Sequence, residues 1–468
     1  MRMIGRPTRI VPTRAAQCCT FALAMRTAQR VNKKTAAIRA SLRYSRHKTR
    51  FPGGGKYSLQ ADGQTHIFLL QGPVGSFFAH LSRHLRASGF SVLDVCFNLG
   101  DRLYRPAPGR VWFRGSPDEW RAELRRLCQL RRPQCFIMFG DRRPVHIAAC
   151  EVAAELGIKV YSFEEGYLRP HYVTFEPGGN NARSRVLDPL PGFTPREDPP
   201  PPSTVGKSFG RMALNTIAYQ WALAFGRPFA RGYQHHRDRN VLLEALLWTR
   251  ALWRKWFFAI PETLFESRLI SRLNKKFFIV ALQVHDDLQG KHHGRKWTQE
   301  DLIAAAMRSF ARHAPQDAYL VIRYHPMDRG HVTYRPLVRR LAREAGVSGR
   351  ARLMLTGHGP RMLTHAAGFV TVNSTMALSA MYHNCPVFAF GDCFYRMPGL
   401  VAEGSDEAAL DAFWQAPPPV DHDLFLRVRA LILEHSQING NFYLPRFFPA
   451  MAASVTERLS RDMNVANG

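Results

Sequence analysis

Two adjacent carboxylates, Glu164 and Glu165, close the apolar run that begins at Lys159, and Gly166 and the cation Arg169 follow them. Like charges side by side raise each other's pKa, so an acidic pair at the end of a strand is costly at a cleft mouth unless it is used. Neighbours on an extended chain point to opposite sides. One carboxylate is therefore expected to face a reacting centre while the other fixes the loop; the plain alternative is a solvated acidic pair.

Other polar bursts also follow apolar runs. Gln71-Gly72-Pro73-Val74-Gly75-Ser76 has glycines that let backbone N–H groups approach a ligand, and Ser76 is expected to cap the next helix. Such a loop suits a phosphate, or is an ordinary strand-to-helix turn. In Gly140-Asp141-Arg142-Arg143-Pro144-Val145-His146, Asp141 suits a substrate hydroxyl and Arg142 or Arg143 an anion, unless the loop is merely solvated.

Further along, Arg323-Tyr324-His325-Pro326 offers a histidine held by a following proline, placed to donate a hydrogen bond to a leaving phosphate, with Arg323 adding charge. Thr371-Val372-Asn373-Ser374-Thr375 brings hydroxyls and free N–H groups to a helix start, which can hold a phosphodiester without metal. Gln283-Val284-His285-Asp286-Asp287, with His292 and His293, can be drawn as a metal site, but the spacing is unlike known ligand sets and no metal is expected.

Missing motifs narrow the classes. GxGxxG, HExxH and GxSxG do not occur, and Gly206-Lys207-Ser208 lacks the earlier P-loop glycine because Pro201 stands there. Dehydrogenase, zinc-protease, serine-hydrolase and P-loop readings all fall.

These residues need elements to position them. The chain has 468 residues, 46% hydrophobic and 22% charged, enough for two or three domains with real cores. Strands are expected at Ile67–Gln71, Ser91–Phe97, Cys135–Gly140 and Lys159–Phe163, with helices at Ser76–Ser88 and Pro144–Leu156. After Asp198-Pro199-Pro200-Pro201-Pro202, a boundary, Phe209–Asn274 has helical periodicity. A second alternation puts strands at Phe277–Val284, Ala318–Tyr324, Arg352–Thr356, Gly368–Asn373 and Pro386–Phe390. Its helices are expected at Gln299–His313, Arg335–Ala345 and Thr375–His383. The fold class is α/β and GT-B-like: two Rossmann-like doubly wound domains facing a central cleft, joined by a helical linker. The expected divisions are a basic, disordered tail at 1–57, an acceptor domain at 58–200, a linker at 201–275, a donor domain at 276–445 and a terminal helix at 446–468.

The formal charge is +29, from 65 Lys and Arg against 36 Asp and Glu, which implies an anionic partner. Residues 1 to 57 hold fourteen of the cations and no acid. With the excess concentrated in tail and linker, nucleic acid is not the expected partner. No apolar run approaches the roughly 20 residues of a membrane span. Val241–Phe258, with Trp248, Trp253 and Trp256 among Arg250, Arg254 and Lys255, suits either an anionic interface or inter-domain packing. The eight cysteines show no disulfide-like spacing, so a reducing cytoplasm is expected.

The ordered set from Phe68-Leu69-Leu70-Gln71-Gly72-Pro73-Val74-Gly75-Ser76-Phe77-Phe78 through Gly140–His146, Glu164-Glu165-Gly166-Tyr167-Leu168-Arg169-Pro170 and Arg323–Asp328 to Val372–Thr375 resembles the capsule polysaccharide biosynthesis and export family of ABC-transporter systems. The likeness spans about residues 65 to 445. It implies a retaining, metal-independent β-Kdo transferase that moves Kdo from CMP-Kdo to a (lyso)phosphatidylglycerol lipid and so starts a poly-Kdo linker, with no cofactor beyond that donor substrate. The implied catalytic residues are Glu165, Glu164 and His325. Gln283, Arg323, His325, Pro326, Asn373, Ser374 and Thr375 would hold the donor, and Gln71, Gly72, Gly75, Ser76, Asp141, Arg142 and Arg169 the acceptor. Glu165 stands where related Kdo transferases carry the Asp of a Glu-Asp-Gly motif, which leaves nucleophile and base both open for it. The implied location is cytoplasmic, peripheral on the inner membrane face, with a companion Kdo transferase and the capsule ABC transporter as partners. A sialyl or heptosyl transferase, or a non-enzymatic export adaptor, remains the alternative.

Overall fold

The computed structural model describes residues 66–105, 110–195, 201–229, 232–233, 241–285 and 297–463. The basic segment 1–57 and the histidine pair His292 and His293 lie outside the described residues.

The first half builds on β1 (His66–Leu69), α1 (Phe77–Ala87), β2 (Ser91–Cys96), α2 (Leu99–Tyr104), β3 (Val111–Trp112), α3 (Pro117–Arg131), β4 (Cys135–Phe139), α4 (Pro144–Leu156), β5 (Lys159–Glu165) and β6 (Tyr172–Pro177). Proline opens α4, where its missing N–H costs nothing, and Gly157 closes it at a positive φ of 66°. With β12 (Gln437–Asn439) at one edge, the sheet order is β12-β6-β5-β4-β1-β2-β3, with β1 to β5 parallel and β6 antiparallel to β5. Apolar layers cover both faces, as a mainly parallel sheet requires.

Two helices join the halves, α5 (Phe209–Gly226) and α6 (Val241–Arg272). The second half contains β7 (Phe277–Ala281), α7 (Gln299–His313), β8 (Tyr319–Arg323), α8 (Arg335–Glu344), β9 (Ala351–Met354), α9 (Gly359–His365), β10 (Gly368–Thr371), α10 (Met376–Tyr382), β11 (Val387–Ala389), α11 (Glu407–Gln415) and α12 (His422–His435). Its sheet, ordered β11-β10-β7-β8-β9, is parallel throughout. A capping box between Thr298 and Asp301 starts α7 at the expected residue. The expected GT-B-like pair of Rossmann-like halves is present.

The boundary expected at 445 is displaced. After α12 the chain returns to the first half: β12 (Gln437–Asn439) pairs antiparallel with β6, and α13 (Phe448–Asp462) packs on α1. Ile438, Phe442, Phe448, Met451, Val455 and Leu459 fill one face of the first core. Phe442 is wedged among Phe77, Phe139 and Phe163, with ring centroids 5.3–5.7 Å away.

Candidate active site

Strand order locates the site. In the first sheet the winding reverses between β1 and β4, and in the second between β7 and β10. Loops at the carboxyl ends of strands beside such a reversal diverge and leave a crevice. All the polar bursts of the sequence except the Glu164–Glu165 pair and the Arg323–Pro326 stretch emerge at these two points, and each of those exceptions belongs to a strand next to one.

At the first reversal, Arg143 Nη1 donates to the Gly72 carbonyl at 3.1 Å and ties the two loops together. Gln71 is buried and its side chain turns inward, donating to Asp101 at 3.0 Å and to Tyr219 and Tyr233 at 3.2 and 3.0 Å. It serves the network that seats α5 on the first half. Gly75 lies at φ 121°, and a Cβ there would come within 2.9 Å of Asn215 Nδ2 on α5. Ser76 stands at the helix start, exposed, but its hydroxyl makes no capping bond, contrary to expectation: its backbone lies near φ −93° and ψ 6° rather than in the extended region that caps use. Asp141 is buried beside Arg183 and Arg142, at 3.4 and 3.8 Å.

The acidic pair belongs to β5 itself, because β6 pairs opposite both residues, Glu164 against Thr174 and Glu165 against Val173. Alternation sends them to opposite faces, as expected. Glu164 reaches toward Gly140 and accepts from the Glu165 N–H at 3.1 Å. On the other face, Glu165 Oε1 accepts from the Tyr443 hydroxyl at 2.9 Å. Burial and then the Glu165 charge hold the Tyr443 phenol well above its usual pKa, so it remains a neutral donor. Arg169 is exposed, its Nε donating to the Gly166 carbonyl at 3.3 Å. Gly166 is required here: a Cβ would stand 2.1 Å from the Tyr172 carbonyl oxygen. Tyr443 escaped the sequence reading because it lies in the returning segment; the aromatic pair Phe442-Tyr443 within Gln437–Leu444 is the only local signal.

The strand turn after Glu165 leads to the second half. Tyr167 packs its ring on Phe394 at 4.7 Å, and the adjacent Tyr395 hydroxyl donates to the Ser374 carbonyl at 2.7 Å. The acidic strand end is thus joined by direct contacts to the loop that follows β10. Beneath Tyr167, Glu176 accepts from the Tyr167 hydroxyl and, at 2.7 Å, from Ser184. Burial pushes the Glu176 carboxyl up to about 7 despite these donors. Folding therefore favours its protonated form. That stability is complete below about pH 4.5, the ordinary value, and is lost as pH rises through about 7. Thermal unfolding measured from pH 4.5 to 8 should show the wild type losing on the order of 3 kcal/mol relative to Glu176→Gln; parallel curves would refute the shift.

At the second reversal, Gln283 Nε2 donates to Asn373 Oδ1 at 2.7 Å and bridges the loops after β7 and β10. Gln283 is only 8% exposed, and its Oε1 has no hydrogen-bond partner among the described residues. Arg323, at the end of β8, donates through Nη2 to the Gly357 carbonyl at 3.1 Å, whereas its buried Nη1 has no partner among the described residues. Gly359 lies between Arg323 and Met376, the first residue of α10, and a Cβ there would come within 2.6 Å of Arg323 Nη1. His325 Nδ1 accepts from the Met327 N–H at 3.2 Å, which puts the ring proton on Nε2, and Pro326 opens the short turn after it. Ser374 Oγ accepts from the Met376 N–H at 3.2 Å, and Thr375 precedes α10 without a side-chain cap. His285 is bonded to buried Asp328 at 2.8 Å; Asp286 and Asp287 lie outside the described residues. The sequence also holds one Asp-x-Asp triplet, Asp421-His422-Asp423, but it heads α12, where Asp421 caps the helix by accepting from the Leu424 N–H at 2.9 Å.

The family described as "Capsule polysaccharide biosynthesis protein" matches residues 134–443, from β4 through Tyr443. This chain belongs to that capsule polysaccharide biosynthesis family. It is 36% identical over 397 residues to the capsule polysaccharide export protein KpsS of Escherichia coli, covering 83% of this chain and all of that one. It is 35% identical over 393 residues to the capsule polysaccharide modification protein LipB of Neisseria meningitidis, covering 82% and 93%. Among solved structures, Thermosulfurimonas dismutans KpsC, a beta Kdo 2,4 transferase, aligns over 83% of this chain and 97% of its own with 14% identity and a TM-score of 0.39. The UDP complex of S. aureus MnaA aligns over 86% and 98%, with 11% identity and a TM-score of 0.32. No described helix is long and apolar enough to cross a membrane.

Proposed function

We propose that this capsule family member is a retaining glycosyltransferase that moves Kdo from CMP-Kdo to a (lyso)phosphatidylglycerol acceptor at the cytoplasmic membrane surface. The observation that carries the reading is a carboxylate oriented by a neutral phenol, Glu165 on Tyr443, joined through Tyr167, Phe394 and Tyr395 to loops that keep two unmatched buried groups, Gln283 Oε1 and Arg323 Nη1. A buried amide oxygen and a buried guanidinium nitrogen that lack hydrogen-bond partners among the described residues are costly unless a ligand completes them. A nucleotide monophosphate has both complements, hydroxyl or amino donors and an anionic phosphate.

Retention follows from two displacements. An oxygen of Glu165 attacks the anomeric carbon, and the bond to the CMP phosphate breaks with its electron pair leaving on the phosphate. Arg323 and the Nε2–H of His325 meet that charge, so the reading calls for no metal ion. The acceptor hydroxyl then displaces Glu165, which departs as its carboxylate, and the hydroxyl proton passes to the CMP phosphate as the new glycosidic bond forms. Asp141, Arg142, Arg169 and the loop Gly72–Ser76 would receive the lipid phosphate and glycerol. A companion Kdo transferase and the capsule ABC transporter would receive the product.

Purified protein incubated in EDTA with CMP-Kdo and a fluorescent lyso-phosphatidylglycerol should yield the mono-Kdo lipid by mass spectrometry. CMP-sialic acid and ADP-heptose should yield none. Product only from one of those donors, or only with added metal, would overturn the donor or the metal-free assignment, and no product from any donor would leave an export adaptor.

A further inference from the structure

Both linking helices are apolar on two opposite sides. In α6, Ala251, Phe258, Glu262, Glu266 and Leu269 recur at helical spacing and settle on the second half. Half a turn away, Leu246, Trp253, Phe257, Ile260 and Leu264 recur at the same spacing and are exposed, Ile260 by 74%, with Trp256 beside them at 75%. In α5, Tyr219, Ala222 and Gly226 face the first half, while Leu214, Ile217, Trp221 and Phe225 line the outside. A stripe of this size is far beyond the scattered apolar residues of an ordinary surface.

The charges around the stripes select the occupant. Helix α5 contains no Asp or Glu. The three acids of α6 are all engaged inward: Glu262 accepts from the Leu355 and Thr356 N–H groups, Glu266 from the His358 N–H at 2.9 Å, and Glu244 is bonded to His331 at 3.2 Å. Lys207, Arg211, Arg250, Arg268 and Arg272 remain exposed on the two helices and the segment before them. Two copies meeting through this face would bring like charges together. A bilayer bearing anionic headgroups matches both features, apolar rings and aliphatic side chains below and cations at the phosphate level.

We infer that the outward faces of α5 and α6 form one docking surface for an anionic lipid bilayer. The inference deepens the lipid-acceptor reading and rests on it only for the choice of phosphatidylglycerol. It also has a geometric corollary. Helix α5 carries Asn215 and Tyr219, which abut Gly75 and Gln71, so the same helix that enters the headgroup layer braces the loop proposed to take the lipid phosphate.

The test is sedimentation of the full-length protein with vesicles of phosphatidylcholine alone or mixed with phosphatidylglycerol, at low and high salt. Wild type should bind the mixed vesicles and weaken as salt rises. The double variant Trp221→Glu/Ile260→Glu should lose binding about tenfold or more, and Arg211→Glu/Arg268→Glu should lose only the preference for phosphatidylglycerol. Unfolding temperatures of both variants should match wild type. Turnover of a water-soluble short-chain acceptor by the Trp221/Ile260 variant should also match; if wild type turns over no acceptor while the vesicle pattern holds, the transferase reading fails and the docking surface stands. Undiminished sedimentation of the Trp221/Ile260 variant, or a wild-type dimer that this variant dissociates, overturns the inference.

Discussion

Replacing Glu165 by Gln should lower kcat by roughly 10³-fold or more while leaving the unfolding temperature within a few degrees of wild type. The amide keeps the shape of the side chain and an acceptor for the Tyr443 hydroxyl, but it cannot form the ester with the anomeric carbon. Tyr443→Phe separates orientation from chemistry. It should cost about tenfold in kcat with the donor KM unchanged, because the carboxylate loses the bond that orients it. A Glu165→Gln enzyme with ordinary turnover would remove the nucleophile from the mechanism. A Tyr443→Phe enzyme with an unchanged kcat would make the phenol a packing residue only.

The second large effect is expected at Arg323. Burial lowers the pKa of this guanidinium, with Arg329 adding to the shift, yet an arginine stays charged. One of its terminal nitrogens is already spent on Gly357 and the other has no partner. Arg323→Met should therefore reduce kcat/KM for the donor by about 10²-fold, shared between a higher donor KM and a lower kcat, with the acceptor KM unchanged. Arg323→Lys should restore part of the loss, since a point charge replaces a planar fork. If the methionine variant stays within about threefold of wild type, Arg323 acts elsewhere.

Much of this was legible because local pattern and tertiary demand agree. Short β-rich runs bounded by glycine, proline or charge became β1, β4, β7, β8 and β10, and the polar residues after all of these but β8 became the loops at the two strand reversals. Helices α4 and α7 begin and end where Pro144 and Thr298 and the apolar spacing place them. The end of β5 was less legible. Charged residues at 164 and 165 read as loop, and only the antiparallel partner β6 keeps them in the sheet. The pairing of β12 with β6 joins residues some 265 apart, such as Gln437 and Thr174, and leaves no local trace; Tyr443 was missed with it. Gln71 was misleading in another way. A polar residue directly after a strand looks like a ligand contact, but Tyr219 on α5 and Tyr233 beyond it supply two phenols that consume its amide. For Val241–Phe258 packing accounts for one face only: Ala251 is buried, whereas Leu246, Trp253 and Phe257 are exposed.

The return of β12 and α13 to the first sheet bears on biosynthesis of the protein. A nascent chain that has emerged only as far as α12 exposes the aromatic hollow that Phe442 later plugs and bears Glu165 without its phenolic partner. The first half, although translated earliest, is completed last, so a prematurely released polypeptide would be a target for chaperones and proteases before it could ever encounter an activated sugar.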